Sequence, residues 1–270
     1  MRVGLNRITM PNVPLFEFMQ QAKKMGFDGI EVRNDLMGKE ILDNIDPKEV
    51  KKMGDELGLE LVTINALQRF NDDQKFLEER YEELKGLVTL ANEAGINAVV
   101  LVPVNDPDDK RSYEQRMEDT IAALDKYGPL FEEMKVQGLV EPLGFEICSL
   151  RFKSDAVKAI NQSKFKSNYA IVHDTFHHYL AEEDLFFPKE TGLIHLSGVL
   201  PGKEMKDISD ADRILVNNDD VMGNKEQVDE LVRLGYDGYA CYECFSEEVQ
   251  NFDLTTLKEK VKESDNLLFS

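Results

Sequence analysis

The chain is predicted to fold as a (β/α)8 barrel, the α/β architecture in which eight parallel strands alternate with eight helices. Two observations predict it. Short apolar runs alternate with amphipathic helical runs along the whole sequence, and the 270 residues match the about 250 that one such barrel needs. A third removes the main competitor. No G-x-G-x-x-G follows the first apolar run and no Walker A motif occurs, so the usual nucleotide signatures of an open doubly wound sheet are missing.

The elements follow in order. Residues 2–6 read as the first strand, with a helix over 14–25. Gly26 to Gly29 lead into a second strand at 30–33, a helix over 47–57 ends at Gly58, and 60–65 is the third strand. The charged run 73–93 is helical, closes at Gly95 and feeds the fourth strand at 98–103. Another long helix, 112–135, stops near Gly138 before the fifth strand at 139–143. Ser154 is placed to cap a helix reaching about residue 161, and 169–174 is the sixth strand. The seventh strand is 193–197, a helix over 225–234 ends at Gly235, the eighth strand is 239–245, and 255–262 is a final helix. Glycine after a helix, then a short apolar run, is the punctuation expected of such units. Strands that read as continuous apolar runs imply a parallel sheet covered by helices. With no linker or low-complexity stretch, residues 1–270 are expected to form one domain.

Composition narrows the function classes. No apolar run approaches the roughly 18 residues of a membrane span, and Met1 to Leu5 have the charge of a signal peptide without its apolar stretch. A cytoplasmic, soluble protein with no membrane partner is expected. The net charge of −20 argues against nucleic acid, whose binding rests on neutralising phosphates with Lys and Arg. Much of that charge reads as a solubilising coat on the outer helices. An acidic barrel is compatible with a monomer or a homodimer. Cys241 and Cys244 spell C-x-x-C, but inside a strand the alternation of side chains sends the two sulfurs to opposite faces, against a redox or zinc pair.

In a barrel of this kind, active sites gather at the C-terminal ends of the strands. The fifth strand carries Glu141, the sixth Asp174, the seventh His195 and the eighth Glu243. Four consecutive strands thus deliver one metal-capable side chain each to the same mouth. Three carboxylates repel one another without a cation, and with one imidazole they suit a single divalent ion among Mn, Mg, Co and Zn. Taken singly, each acid is more often an ion-pair or capping residue than a ligand, and His195 fits a hydrogen-bonded core histidine; the joint placement favours a site. The four histidines, at 173, 177, 178 and 195, all fall around the sixth and seventh strands. His177, three residues past Asp174, is placed to meet a substrate oxygen, whereas His173 and His178 read as packing or surface residues.

The segments GIEVR at 29–33, NAL at 65–67, VVLVP at 99–103, VE at 140–141, HDTFH at 173–177, IH at 194–195, DR at 212–213 and YE at 242–243 resemble, in order, those of the xylose isomerase-like barrels, a superfamily of sugar isomerases, epimerases and dehydratases. The resemblance is nearest to the inosose (2-keto-myo-inositol) isomerases of inositol catabolism. It implies Glu141, Asp174, His195 and Glu243 as metal ligands, His177 and Arg213 as contacts to substrate oxygens, and Asn6, Glu31 and Asn65 on the pocket floor. Two departures stand out: Ser197 where the relatives carry Asp or Asn, and a longer stretch at 214–222 that is expected to reshape one wall of the pocket. The implied chemistry is proton transfer beside a carbonyl through an enediolate, with Glu141 and Glu243 as acid and base. A ketose 3-epimerase or a dehydratase would share that intermediate. An apurinic-site endonuclease would need further histidines in the early strands, and none precedes His173. A Schiff-base aldolase would want a lysine at a strand end, and a non-catalytic barrel would not need the intact ligand set.

Overall fold

The computed structural model describes residues 1–269. Eight strands close into a parallel barrel in sequence order: β1 (Arg2–Asn6), β2 (Gly29–Arg33), β3 (Glu60–Leu67), β4 (Ala98–Leu101), β5 (Gln137–Val140), β6 (Tyr169–Asp174), β7 (Thr191–Leu196) and β8 (Tyr239–Tyr242), with β8 pairing back onto β1. The outer layer comprises α1 (Leu15–Met25), α2 (Pro47–Leu57), α3 (Leu77–Ala94), α4 (Tyr113–Met134), α5 (Lys153–Gln162), α6 (Thr175–Ala181), α7 (Asn224–Arg233), α8 (Glu247–Gln250) and α9 (Leu254–Leu268). None of these helices is long and apolar enough to cross a membrane.

The apolar runs are continuous because both faces of each strand are buried. Along β4, Ala98 and Val100 join a small cluster with Val172 and Leu193, while Val99 and Leu101 join the large shell packed against the helices. Cys241 belongs to the first cluster and Cys244 to the second, so the sulfurs do face different layers, and both are free. Gly26, Gly58 and Gly95 end α1, α2 and α3 in the left-handed conformation that glycine adopts without a Cβ penalty.

Several boundaries differ from the sequence expectation, each for a local reason. Strands β4, β5 and β8 end two or three residues early, so Glu141 and Glu243 stand just past their strands. The α4 helix ends at Met134, within a residue of the expected end, and its left-handed C-cap is Lys135 rather than a glycine. Ser154 does not cap α5. Glu183 does so from outside, its two carboxylate oxygens accepting the backbone N–H groups of Lys153 and Ser154 at 3.0 Å each. The short α6 starts where the Asp174 carboxylate accepts the N–H groups of Phe176 and His177 at 2.7 and 3.3 Å, an N-cap by a residue type suited to that place.

Gly144, in the loop after β5, lets that loop lie directly on α6. A Cβ there would sit 2.2 Å from the His177 carbonyl oxygen and 2.8 Å from the Ala181 nitrogen. Backbone cannot yield as a flexible side chain can. Gly144→Ala is therefore expected to cost about 1–3 kcal/mol, the usual range for overpacking, read as a lower urea midpoint at unchanged slope; an unchanged midpoint would show that α6 is not held by this contact.

Candidate metal centre and its cavity

The register of the last strands brings the four foreseen residues together. Asp174 pairs with His195 across β6 and β7, Leu196 pairs with Tyr242 across β7 and β8, and the next residue is Glu243. Glu141 follows Val140, its N–H donating to the Leu101 carbonyl at 3.1 Å. One ligand-capable atom from each of Glu141, Asp174, His195 and Glu243 falls within 4.8 Å of the others, and all four residues are buried. His195 Nδ1 lies 2.6 Å from Glu141 Oε1, 3.3 Å from Glu243 Oε2 and 3.8 Å from Asp174 Oδ2. On its other side, Nε2 lies 3.1 Å from Glu31 Oε2. Asp174 does two things at once: Oδ1 caps α6 while Oδ2 faces the cluster.

Two guanidiniums close the charge balance. Arg213 Nη2 donates to Asp174 Oδ2 at 2.7 Å and Glu243 Oε2 at 2.9 Å, and its Nε donates to Ser197 Oγ at 3.0 Å. Arg33 Nη1 donates to Glu243 Oε1 at 2.6 Å, and its Nε and Nη2 bracket Asp35. Burial works against both charges, yet the surrounding carboxylates hold the two arginines above their ordinary range. Burial would also raise Glu243, but His195, Arg213 and Arg33 overcome it and hold its carboxyl down at about 2. Glu141, with no arginine bonded to it, is pushed up by burial despite His195. For His195 itself burial opposes the charge, and the fields of Glu243, Glu31 and Glu141 outweigh it and push the imidazole well above its usual value.

The donor set fits a divalent metal ion. Four buried carboxylates (Glu31, Glu141, Asp174, Glu243) face two buried guanidiniums (Arg33, Arg213), an excess of two negative charges that one divalent cation would neutralise if the imidazole were neutral. Without a cation the imidazole, raised as above, carries a proton on each nitrogen; with one bound, an Nε2–H donating to Glu31 would leave Nδ1 free for it, the carboxylate–histidine pairing that orients metal-bound histidines.

A cavity of about 350 Å³ opens on the cluster, lined among others by Glu141, Glu243, Arg213, His177, Asn65 and Arg33. That is at the small end of the roughly 300–1,000 Å³ typical of ligand sites. Roomier hollows of about 580 Å³ beyond Phe145 and about 470 Å³ beside Thr9 are lined by no member of the cluster, so chemistry rather than size marks the site. Of the four cluster residues, Glu141 and Glu243 line the cavity; Asp174 and His195 do not. The His177 ring sits edge-on to Phe145 and Phe176, with centroids 5.3 and 5.1 Å away, and its buried Nδ1 has no partner among the described residues. Its Nε2 is the atom left to meet a ligand.

Asn65, His177 and Arg213 thus line the cavity where the resemblance implied pocket residues. Asn6 and Glu31 are fully buried beneath it: Asn6 donates to Glu243 Oε1 at 3.2 Å, and Glu31 backs His195 while accepting from Thr63 and Asn65. The stretch after Arg213 is corrected, since no residue of 214–224 lines the cavity. Ile214 turns back to pair with Gly198, and the Val216 carbonyl accepts from Ser264 of α9, which draws the segment outward. Ser197, the other departure, serves as the acceptor that steadies Arg213. Arg33 went unassigned from the sequence; the signal was a basic residue at a strand's C-terminal end.

Behind Asp174, His173 and His178 pack with Phe186, bearing out the packing reading, and Lys153 Nζ contacts His178 Nδ1 and lies 3.4 Å from Glu183 Oε2. Burial, only partly offset by Glu183, draws the Lys153 amine down to about 8. Below that pH the ammonium is buried at a cost in the folded state. As pH rises from about 8 toward about 10.4, the ordinary lysine value, the unfolded chain binds more protons than the folded one and the cost is relieved. The difference in unfolding free energy, wild type minus Lys153→Met, is expected to rise over that window by up to roughly 1.4 kcal/mol per pH unit. A flat difference in parallel denaturation curves would place the amine in water.

Residues 19–267 match the family model described as the xylose isomerase-like TIM barrel, and the chain belongs to that family. It is 27% identical over 173 residues to the inosose isomerase of Bacillus licheniformis, a match covering 63% of this chain and 60% of that protein. The chain therefore spans less than two thirds of the length of the curated relative it matches. Among solved structures it superposes on a xylose isomerase domain-containing protein from Salmonella typhimurium LT2 at 32% identity and a TM-score of 0.90, covering 100% of this chain and 97% of the other. It also superposes on the IOLI protein, a structure with a zinc atom, at 20% identity and a TM-score of 0.90 over 99% and 98% of the two chains; at that identity the likeness is one of fold.

Proposed function

We propose that this barrel holds one divalent metal ion through Glu141, Asp174, His195 and Glu243 and isomerises a keto-inositol or a related small keto-sugar by proton transfer through an enediolate. The observation that carries the reading is the division within the cluster, with Glu141 and Glu243 exposed to the cavity and Asp174 and His195 withdrawn from it. The named isomerase among the chain's relatives supports the choice of substrate. When bound, a divalent ion supplies Lewis acidity, polarising adjacent carbonyl and hydroxyl oxygens so that the C–H between them becomes acidic.

The chain's own residues supply the rest. One of the two cavity carboxylates takes the proton from carbon and the other returns a proton to the neighbouring carbon, positioned acid–base chemistry worth about 10²–10⁴-fold. Arg213 and Arg33 keep Glu243 ionised and oriented. His177 Nε2 donates to or accepts from a substrate hydroxyl, and the packed rings of Phe145 and Phe176 hold it there. Glu31, behind His195, fixes the imidazole's tautomer.

Two measurements test this. Glu31→Gln is expected to weaken divalent-metal affinity about 10–100-fold, the usual cost of losing such a partner, in a chelator competition titration; unchanged affinity would put the metal elsewhere. Metal-stripped protein re-supplied singly with Mn, Mg, Co or Zn and given 2-keto-myo-inositol in deuterated water should form an isomer, with solvent deuterium entering beside the carbonyl. Glu243→Gln should retain metal yet lose about 10²–10⁴-fold in that rate. Full turnover by this variant would remove Glu243 from the proton transfer, and inversion at carbon 3 of a ketohexose instead would make the enzyme an epimerase.

A further inference from the structure

Arg69 lies in the loop after β3 and lines the same cavity as Glu141, Glu243 and His177. Its φ of +56° puts a non-glycine residue in the left-handed region, which L side chains rarely adopt and which persists where surrounding contacts hold it, often at ligand sites. The contacts here are two carboxylates. Arg69 Nε donates to Asp72 Oδ2 at 2.9 Å and Nη1 donates to Asp106 Oδ2 at 3.0 Å. The guanidinium is planar and rigid, so pinning two of its nitrogens fixes the third. Nη2 has no partner among the described residues, and the side chain is 41% exposed. An oriented donor edge without a protein partner among the described residues is thus held at the rim of a cavity whose floor carries the proposed metal centre.

The cavity's charges also bear on what that edge would bind. Each of its three arginines is already joined to two carboxylates or more: Arg33 to Asp35 and Glu243, Arg69 to Asp72 and Asp106, Arg213 to Asp174, Asp210 and Glu243. No lysine lines it. Donors and acceptors are therefore interleaved, with no spare cation to balance a phosphate. A hydroxyl both donates and accepts, so such a lining suits neighbouring hydroxyls on an uncharged molecule. Resting on the isomerase reading above, we propose that Arg69 is a specificity-determining residue whose Nη2 binds a hydroxyl of an uncharged polyhydroxy substrate at the end remote from the metal, and that phosphorylated counterparts are not preferred.

The test is calorimetric binding to protein supplied with one divalent metal, using unreactive ligands so that it does not depend on turnover: myo-inositol, its single-deoxy analogues and a myo-inositol monophosphate. Arg69→Ala is expected to weaken myo-inositol about tenfold at unchanged metal affinity. One deoxy analogue should bind wild type and variant alike, because its missing hydroxyl is the one Arg69 reads. Asp106→Asn, which frees Nη1 but leaves the arginine, should reproduce part of the loss, and retained metal affinity in both variants shows that each folds. Equal weakening of every analogue, no weakening, or no binding of myo-inositol to wild type would overturn the assignment. Tighter binding of the monophosphate, lost in Arg69→Ala, would make the residue an anion anchor and overturn the uncharged class. Failure of the isomerase reading would appear separately, as binding of myo-inositol without conversion of any keto-polyol.

Discussion

Burying several carboxylates in one small volume is the constraint around which the C-terminal face of this barrel is organised. Removing an ionised carboxylate from water costs several kcal/mol unless it is paired, and four of them meet here. The cluster answers with two guanidiniums and one imidazole, each reaching more than one acid. Glu243 alone accepts from Arg33, Arg213 and Asn6. This sharing keeps side chains from strands far apart in the chain in one geometry, and the negative charge left over is what one divalent cation would neutralise.

The charge network and the fold support one another. Asp174 joins them most directly, because one carboxylate oxygen starts α6 and the other meets Arg213. The helix so started carries His177 to the cavity and His178 to the packed cluster behind β6, where Lys153 and Glu183 tie the start of α5 to the end of α6. A displacement of Asp174 would therefore be felt both at the centre and in the two helices beside it. Gly144 belongs to the same arrangement, since its missing side chain allows the loop after β5 to rest on α6 beneath Phe145.

The cavity above the cluster has its positive charges committed in advance. Arginine is suited to this, because its five donors allow two acids to be held while an edge remains. The walls contribute two aromatic rings, Phe145 and Phe245, the second lying 5.1 Å from the Arg33 guanidinium and 4.9 Å from that of Arg213. Both guanidiniums thus also lie over an aromatic face, a cation–π contact.

The alternation of eight apolar runs with amphipathic helices determined the barrel by itself, because strand burial on both faces is written in local hydrophobicity. Once that class is assumed, the mouth is known, and Glu141, Asp174, His195 and Glu243 follow as the metal-capable residues at four consecutive strand ends. Three kinds of information were not local and waited for the tertiary structure. The counter-charges came from closure: Arg33 on β2 reaches Glu243 across 210 residues only because β8 pairs back onto β1. The partners of Asn6 and Glu31 depended on side-chain direction at a strand end, which set both beneath the cluster, one against Glu243 and the other against His195. The course of residues 214–224 was decided by packing, since Leu215, Val216 and Met222 are buried away from the cavity and gain more there than from standing over polar groups. Periodicity states which faces are buried; only the closed barrel decides what each buried polar group meets.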